Sequence, residues 1–152
     1  LKGTRISSGE GEMVKLLAIG LILCVILSVA MTSAGQGGKE EPAVGAAEGW
    51  LKLVDEGKFS ESWKESAEYF KGAVKQDQWE QSIQSVRIPL GAVISRRLKA
   101  KNFATSLPGA PDGEYVVIQF ATSFENKVSA VETVTPMMDK DGQWRVSGYY
   151  IK

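Results

Sequence analysis

Residues Glu114–Lys152 read EYVVIQFATSFENKVSAVETVTPMMDKDGQWRVSGYYIK, and their alternation decides the fold. Strand side chains point to opposite faces in turn. In the first segment Val116, Ile118, Phe120, Thr122 and Phe124 share the more apolar face. In the second, Val128, Ala130, Glu132, Val134 and Met138 share one face, and Ser129, Val131, Thr133 and Thr135 take the other. In the third, Trp144, Val146 and Tyr150 fall together. Each segment therefore predicts a strand with one packed and one wet side. Phe124-Glu125-Asn126-Lys127 and Asp139-Lys140-Asp141-Gly142 supply the tight turns, the latter with a Gly where positive φ is needed.

Upstream, Leu107-Pro108-Gly109-Ala110-Pro111-Asp112-Gly113 is a loop, because two prolines and two glycines exclude a helix or strand interior. Before it, Leu90 to Leu107 predicts a fourth strand, the first in chain order. Its even positions Leu90, Ala92, Ile94, Leu98 and Ala100 are apolar, and Arg96 falls among them. Ala43, Ala47, Trp50, Leu51 and Val54 recur at helical spacing, with Glu48, Lys52 and Asp55 opposite. Pro42 suits that helix's first turn and Gly57 its end. A broken helical stretch runs from Phe59 to Val74. Asp77 and Glu80 predict the cap of a further helix, with Trp79, Ile83 and Val86 as its buried stripe and Ile88-Pro89 as its end. Helices first and strands later predict an α+β domain, with helices on one face of a four-stranded antiparallel sheet.

The N-terminal part predicts export. Residues 1–12 lack an initiating Met and are read as an upstream, non-native or mis-started segment, with Met13 as the expected start. Lys15, the apolar run 16–30 and the small residues around Ala34 make residues 13–34 a signal peptide. The run is shorter than the roughly 20 residues that a spanning helix needs, so no stable membrane span is expected after cleavage. An uncleaved anchor is the alternative. Residues 35–41 read as a linker and 42–152 as a single domain.

Composition removes several chemistries. The chain has no His, and its one Cys, Cys24, lies inside the apolar run. A Ser-His-Asp triad, thiolate catalysis and a His metal site are therefore excluded. No Gly-rich phosphate loop precedes a helix. Three of the 18 basic and two of the 18 acidic residues precede Gly35. The remainder is nearly neutral, unlike the basic excess of nucleic-acid binders. No cofactor and no metal are expected.

The residues from Trp50 to Lys152 resemble the bacterial "domain of unknown function" family 4019. The likeness rests on Trp50-Leu51-x-Leu53-Val54-Asp55-x-Gly57, Ser62-Trp63 and Arg87-x-Pro89-Leu90-Gly91. It continues through Ser95-Arg96-Arg97, Leu107-Pro108-Gly109-x-Pro111-x-Gly113-x-Tyr115, Phe124-x-x-Lys127, Glu132-Thr133-Val134 and Gly142-x-Trp144-x-Val146-x-Gly148-Tyr149. The resemblance implies a secreted or periplasmic domain with a cystatin-like or nuclear-transport-factor-2-like curved sheet. It implies no activity.

Two charged residues fall on faces that should be apolar: Glu132 and Arg96. A buried carboxylate needs a partner, hydrogen bonds or water, so the pair is either a structural salt bridge or the polar floor of a pocket between sheet and helices. Glu132, Arg96, Trp50, Trp79 and Tyr150 are the ligand-pocket candidates, although Trp50 and Trp79 also suit helix–sheet packing. Three functions stay open. The first is a non-catalytic envelope module binding a small molecule or an envelope protein. The second is a hydrolase or isomerase using Glu132 as general acid/base with Arg96 as electrostatic partner. The third is a structural assembly role.

Overall fold

The computed structural model describes residues 37–152. The expectations for the upstream segment and the signal peptide lie outside the described residues. Four helices come first: α1 Gly37–Asp55, α2 Phe59–Lys64, α3 Glu68–Ala73 and α4 Gln76–Leu90. Four strands follow: β1 Val93–Ala104, β2 Tyr115–Phe124, β3 Lys127–Met138 and β4 Trp144–Ile151. They form one open antiparallel sheet in the order β1-β2-β3-β4. α1 lies across all four strands, and α2 packs between α1 and α4. Among the described residues no helix is long and apolar enough to cross a membrane.

α1 begins at Gly37 and so takes in residues 37–41, read above as a linker. Its buried stripe is Ala43, Val44, Ala47, Trp50, Leu51 and Val54, the 3–4 spacing of an amphipathic helix. That stripe meets Val116, Ile118 and Phe120 of β2, Val134 of β3 and Val146 of β4 in one core. The aromatics interlock there. The Trp50 ring centroid lies 5.6 Å from Trp79 and 5.3 Å from Tyr149, and Phe70 meets Trp79 edge-on at 5.3 Å.

Two features of α4 differ from the sequence reading. The helix starts at Gln76, and the Lys75 N–H donates to Gln78 Oε1, so Asp77 sits in the first turn and is not the cap. The helix also runs through Pro89 to Leu90. The β2–β3 turn makes this possible, because Asn126 donates its side-chain amide to the Pro89 carbonyl and its backbone N–H to the Leu90 carbonyl. A distant turn thus satisfies carbonyls that a helix end leaves open. The buried stripe is Trp79, Ile83 and Arg87, whereas Val86 is 46 % exposed.

Gly91 closes α4 at φ +74 and ψ −162, a region open essentially to Gly alone. A Cβ there would lie 2.5 Å from Glu125 Oε2 and 2.9 Å from Glu125 Cβ, and that Oε2 accepts the Ala92 N–H. Gly91→Ala is therefore expected to lower stability by about 1–3 kcal/mol, read as a shift in urea midpoint. An unchanged midpoint would show that the turn relaxes freely.

Strand parity breaks in β1, at the start of β3 and in β4; in β3 an extra residue between Lys127 and Ala130 leaves Val128 80 % exposed, off the face of Glu132. In β1 the register shifts around Ile94 and again around Lys99. Lys101 and Phe103 then stand opposite Ile118 and Val116, on the face expected to hold the even residues. In β4 Gly148 pairs with Thr135 and Val146 with Pro136, which leaves Ser147 as an extra residue. Such a bulge flips the faces beyond it. Tyr149 consequently faces the core, and Tyr150 is 50 % exposed on the other side.

Candidate functional site

Glu132 is fully buried, in the middle of β3. Arg96 reaches it from β1 across β2, with Nε 2.6 Å from Oε2 and Nη2 3.1 Å from Oε1. The intervening strand contributes Thr122, whose hydroxyl donates to Oε2 at 2.5 Å. From β4 the Tyr149 hydroxyl donates to Oε1 at 2.6 Å. Two oxygens thus receive four donors, which fills the acceptor sites a carboxylate has.

The helices close the other side of this group. Asp55, the last residue of α1, accepts from Arg96 Nη1 at 2.7 Å and Nη2 at 3.0 Å, and from Arg87 Nη2 at 2.8 Å. Arg87 Nη1 lies 3.7 Å from Glu132 Oε1 and donates to the Tyr149 hydroxyl at 3.4 Å. Its guanidinium carbon sits 5.0 Å from the Phe124 ring centroid, a cation–π contact. Two guanidinium and two carboxylate groups form a charge-balanced quartet between α1, α4 and the sheet. Arg87 Nε is the one buried side-chain nitrogen among the described residues that lacks a partner.

The charge states follow from these contacts. Burial raises the Asp55 carboxyl, but hydrogen bonds from Arg96 and Arg87 outweigh it and hold the group below its ordinary value. Burial opposes the Arg96 charge, yet the bonds to Asp55 and Glu132 prevail and push its pKa up. Burial pushes Tyr149 above the usual phenol range, and the Glu132 carboxylate adds to the shift. Tyr149 therefore remains a donor at ordinary pH.

A carboxyl depressed on folding stabilises the fold above its unfolded value, near 3.8. That contribution is lost as pH falls through the folded value. The stability gap between the native chain and Asp55→Asn is accordingly expected to narrow from pH 6 to pH 3. Urea midpoints at the two pH values measure it. A gap of constant size would mean that Asp55 is not held ionised by the arginines.

The candidates named from sequence separate into groups. Glu132 and Arg96 meet directly. Trp50 and Trp79 are core anchors: Trp50 Nε1 donates to the Ser62 carbonyl and Ser66 Oγ, and Trp79 Nε1 to Ser62 Oγ. Trp50 reaches the quartet only through Tyr149. Tyr150 turns from the quartet, because the Ser147 bulge exchanges it with Tyr149, and with Trp79 and Tyr149 it lines a pocket of about 240 Å³. Asp55, Arg87 and Tyr149 were missed. Asp55 follows Leu51 by four residues and Arg87 follows Ile83 by four, so helical spacing carried a signal for both. No pattern signalled the bulge that turns Tyr149 inward.

A separate cleft of about 560 Å³ opens between α1, α2 and the start of β4, lined by Ala46, Gly49, Glu61, Lys64, Trp144 and Arg145 among others. A neighbouring one of about 900 Å³ shares Lys64, Glu65 and Arg145 with it and continues past Tyr69. None of the quartet's residues lines either cleft. Among the described residues no group of His, Cys, Asp and Glu could hold a metal ion.

Neither the curated proteins nor the solved structures contain a match to this chain. A family model described as a protein of unknown function, DUF4019, matches residues 46–149. That span covers α1 from its middle through β4 as far as Tyr149, so both the quartet and the cleft lie largely within it, and the chain belongs to the DUF4019 family.

Proposed function

We propose that this is a non-catalytic binding module of the bacterial cell envelope, exported through residues 13–34, with the sheet curved as a cystatin-like cone. The observation that supports a non-catalytic role is the saturation of Glu132 by four donors. A general acid or base must reach the proton that it moves, and a carboxylate with no exposure and no free lone pair does not. The quartet then acts structurally, tying the ends of α1 and α4 to the sheet. Binding falls to the clefts outside it, whose volumes suit small ligands.

The test is native mass spectrometry of the protein purified from its own envelope fraction, together with an activity screen of Glu132→Gln. A retained molecule or partner, and no turnover attributable to Glu132, are expected. A pH-dependent turnover abolished in Glu132→Gln would overturn the reading in favour of the hydrolase or isomerase alternative. Export has its own measurement. A reporter fused behind residues 13–34 should reach the envelope, with the mature N-terminus near Gly35. An intact run 16–30 in the mature protein would point to an anchor instead.

A further inference from the structure

Three of the four Trp residues donate their indole N–H to internal acceptors: Trp50 and Trp79 as above, and Trp63 to the Val74 carbonyl at 2.8 Å. Trp144 differs. It lines the 560 Å³ cleft, is only partly buried, and donates to no other described residue. Beside it stand Glu61, Lys64 and Glu65 of α2 and its C-terminal flank, all exposed and none ion-paired within the described residues. The cleft therefore joins an aromatic surface and a free N–H donor to unengaged carboxylate acceptors and an ammonium donor.

Resting on the non-catalytic reading above, we infer that this cleft is a saccharide-binding site, with Trp144 as the stacking platform. Glu61, Glu65, Lys64 and Arg145 line it, and Arg145 is already engaged by Asp139 and Asp141. The free groups are thus two carboxylates and one ammonium, a mixed lining that suits a ligand rich in both donors and acceptors. A pyranose ring has that edge chemistry and an apolar C–H face to lay on an indole, whose amphipathic ring serves such contacts. An extended peptide fits less well. At this edge of the sheet the Val146 carbonyl already accepts the Ala67 N–H, which takes one position of the ladder that a ligand strand would use. The second cleft, reached across Lys64, Glu65 and Arg145, gives room for a chain of several sugar units. The α1 side is open, because nothing stands within 4 Å of where a Gly49 Cβ would lie.

The test is NMR titration of the full chain with chitotetraose, cellotetraose and maltotetraose, reading the four indole N–H signals. At least one sugar is expected to shift the Trp144 signal saturably and leave those of Trp63 and Trp79, which do not line the cleft, in place. Trp144→Ala should weaken binding about tenfold, in line with loss of an aromatic contact. Gly49→Leu keeps the fold testable, since Leu is the better helix former; it should retain or raise Tm and abolish binding by filling the cleft. Silence of the Trp144 signal with all three sugars overturns the inference. So does binding that survives both substitutions. New reducing ends released from a bound sugar would instead overturn the non-catalytic reading and leave the cleft as the sugar's site.

Discussion

Truncating Trp79 to Ala is expected to destabilise the domain by about 3–5 kcal/mol, the range for large aromatic truncations in a core. Trp79 is buried between Trp50 and Phe70 on the first turn of α4. Its indole N–H holds Ser62 Oγ at 3.0 Å, and that hydroxyl donates in turn to the Phe59 carbonyl. The substitution therefore removes packing and also leaves a buried hydroxyl short of a donor, which adds desolvation cost. Trp79→Phe helps to separate the two contributions, because it keeps an aromatic ring in the core while losing the N–H and the smaller part of the indole. It should cost clearly less than Trp79→Ala in a urea titration at neutral pH. Equal losses would mean that the Ser62 bond, not the packing, holds α4 against α2. A loss under about 1 kcal/mol for Trp79→Ala, the scale of surface changes, would remove Trp79 from the core.

How much of this was legible in the sequence depended on how far simple periodicity held. From Tyr115 to Thr122 of β2 and from Ala130 to Met137 of β3 the pairing of these two strands keeps one register. Alternation there placed Val116, Ile118, Phe120 and Thr122 on the helix side, with Glu132 facing the same way. Arg96 is legible too, because it shares its parity with Leu98 and the pleat between the irregularities at Ile94 and Lys99 is regular. Beyond Lys99 in β1 and beyond Ser147 in β4 an inserted residue reverses the faces. A bulge is set by pairing with a neighbouring strand, which a single segment does not display. That is why Tyr150 was chosen where Tyr149 does the bonding. The helix ends failed for a related reason. Pro89 reads locally as a terminator, but Asn126 in a distant turn supplies the donors that carry the helix one residue past it. Charge alone reads Asp55 as solvent-facing. The spacing of four after Leu51 and Ile83 puts Arg87 on a buried stripe and Asp55 at the exposed end of one, where it neutralises Arg87 and Arg96 together with Glu132.

That mutual dependence sets the largest effect on the polar side. Glu132→Ala should lower stability by about 3–5 kcal/mol, the cost of breaking a buried ion pair from one side. Its removal leaves Arg96 and Arg87 sharing Asp55 alone, a surplus positive charge among side chains that are 16 % and 6 % exposed. It also takes away the acceptor of the Tyr149 and Thr122 hydroxyls. The companion variant carries Glu132→Leu and Arg96→Met together. It deletes one charge of each sign, and Arg87 keeps Asp55 at 2.8 Å, so the buried group stays neutral. Replacing a whole buried pair by apolar side chains of similar size is often neutral or even stabilising. The double variant is therefore expected to be more stable than Glu132→Ala, although two residues have changed rather than one. The coupling read from a double-mutant cycle on urea midpoints should be favourable and exceed about 0.5 kcal/mol, the scale above which neighbouring sites count as interacting. Additive losses at the two positions would falsify the quartet as a coupled unit, and Glu132 would then be held by Thr122 and Tyr149 without help from the arginine.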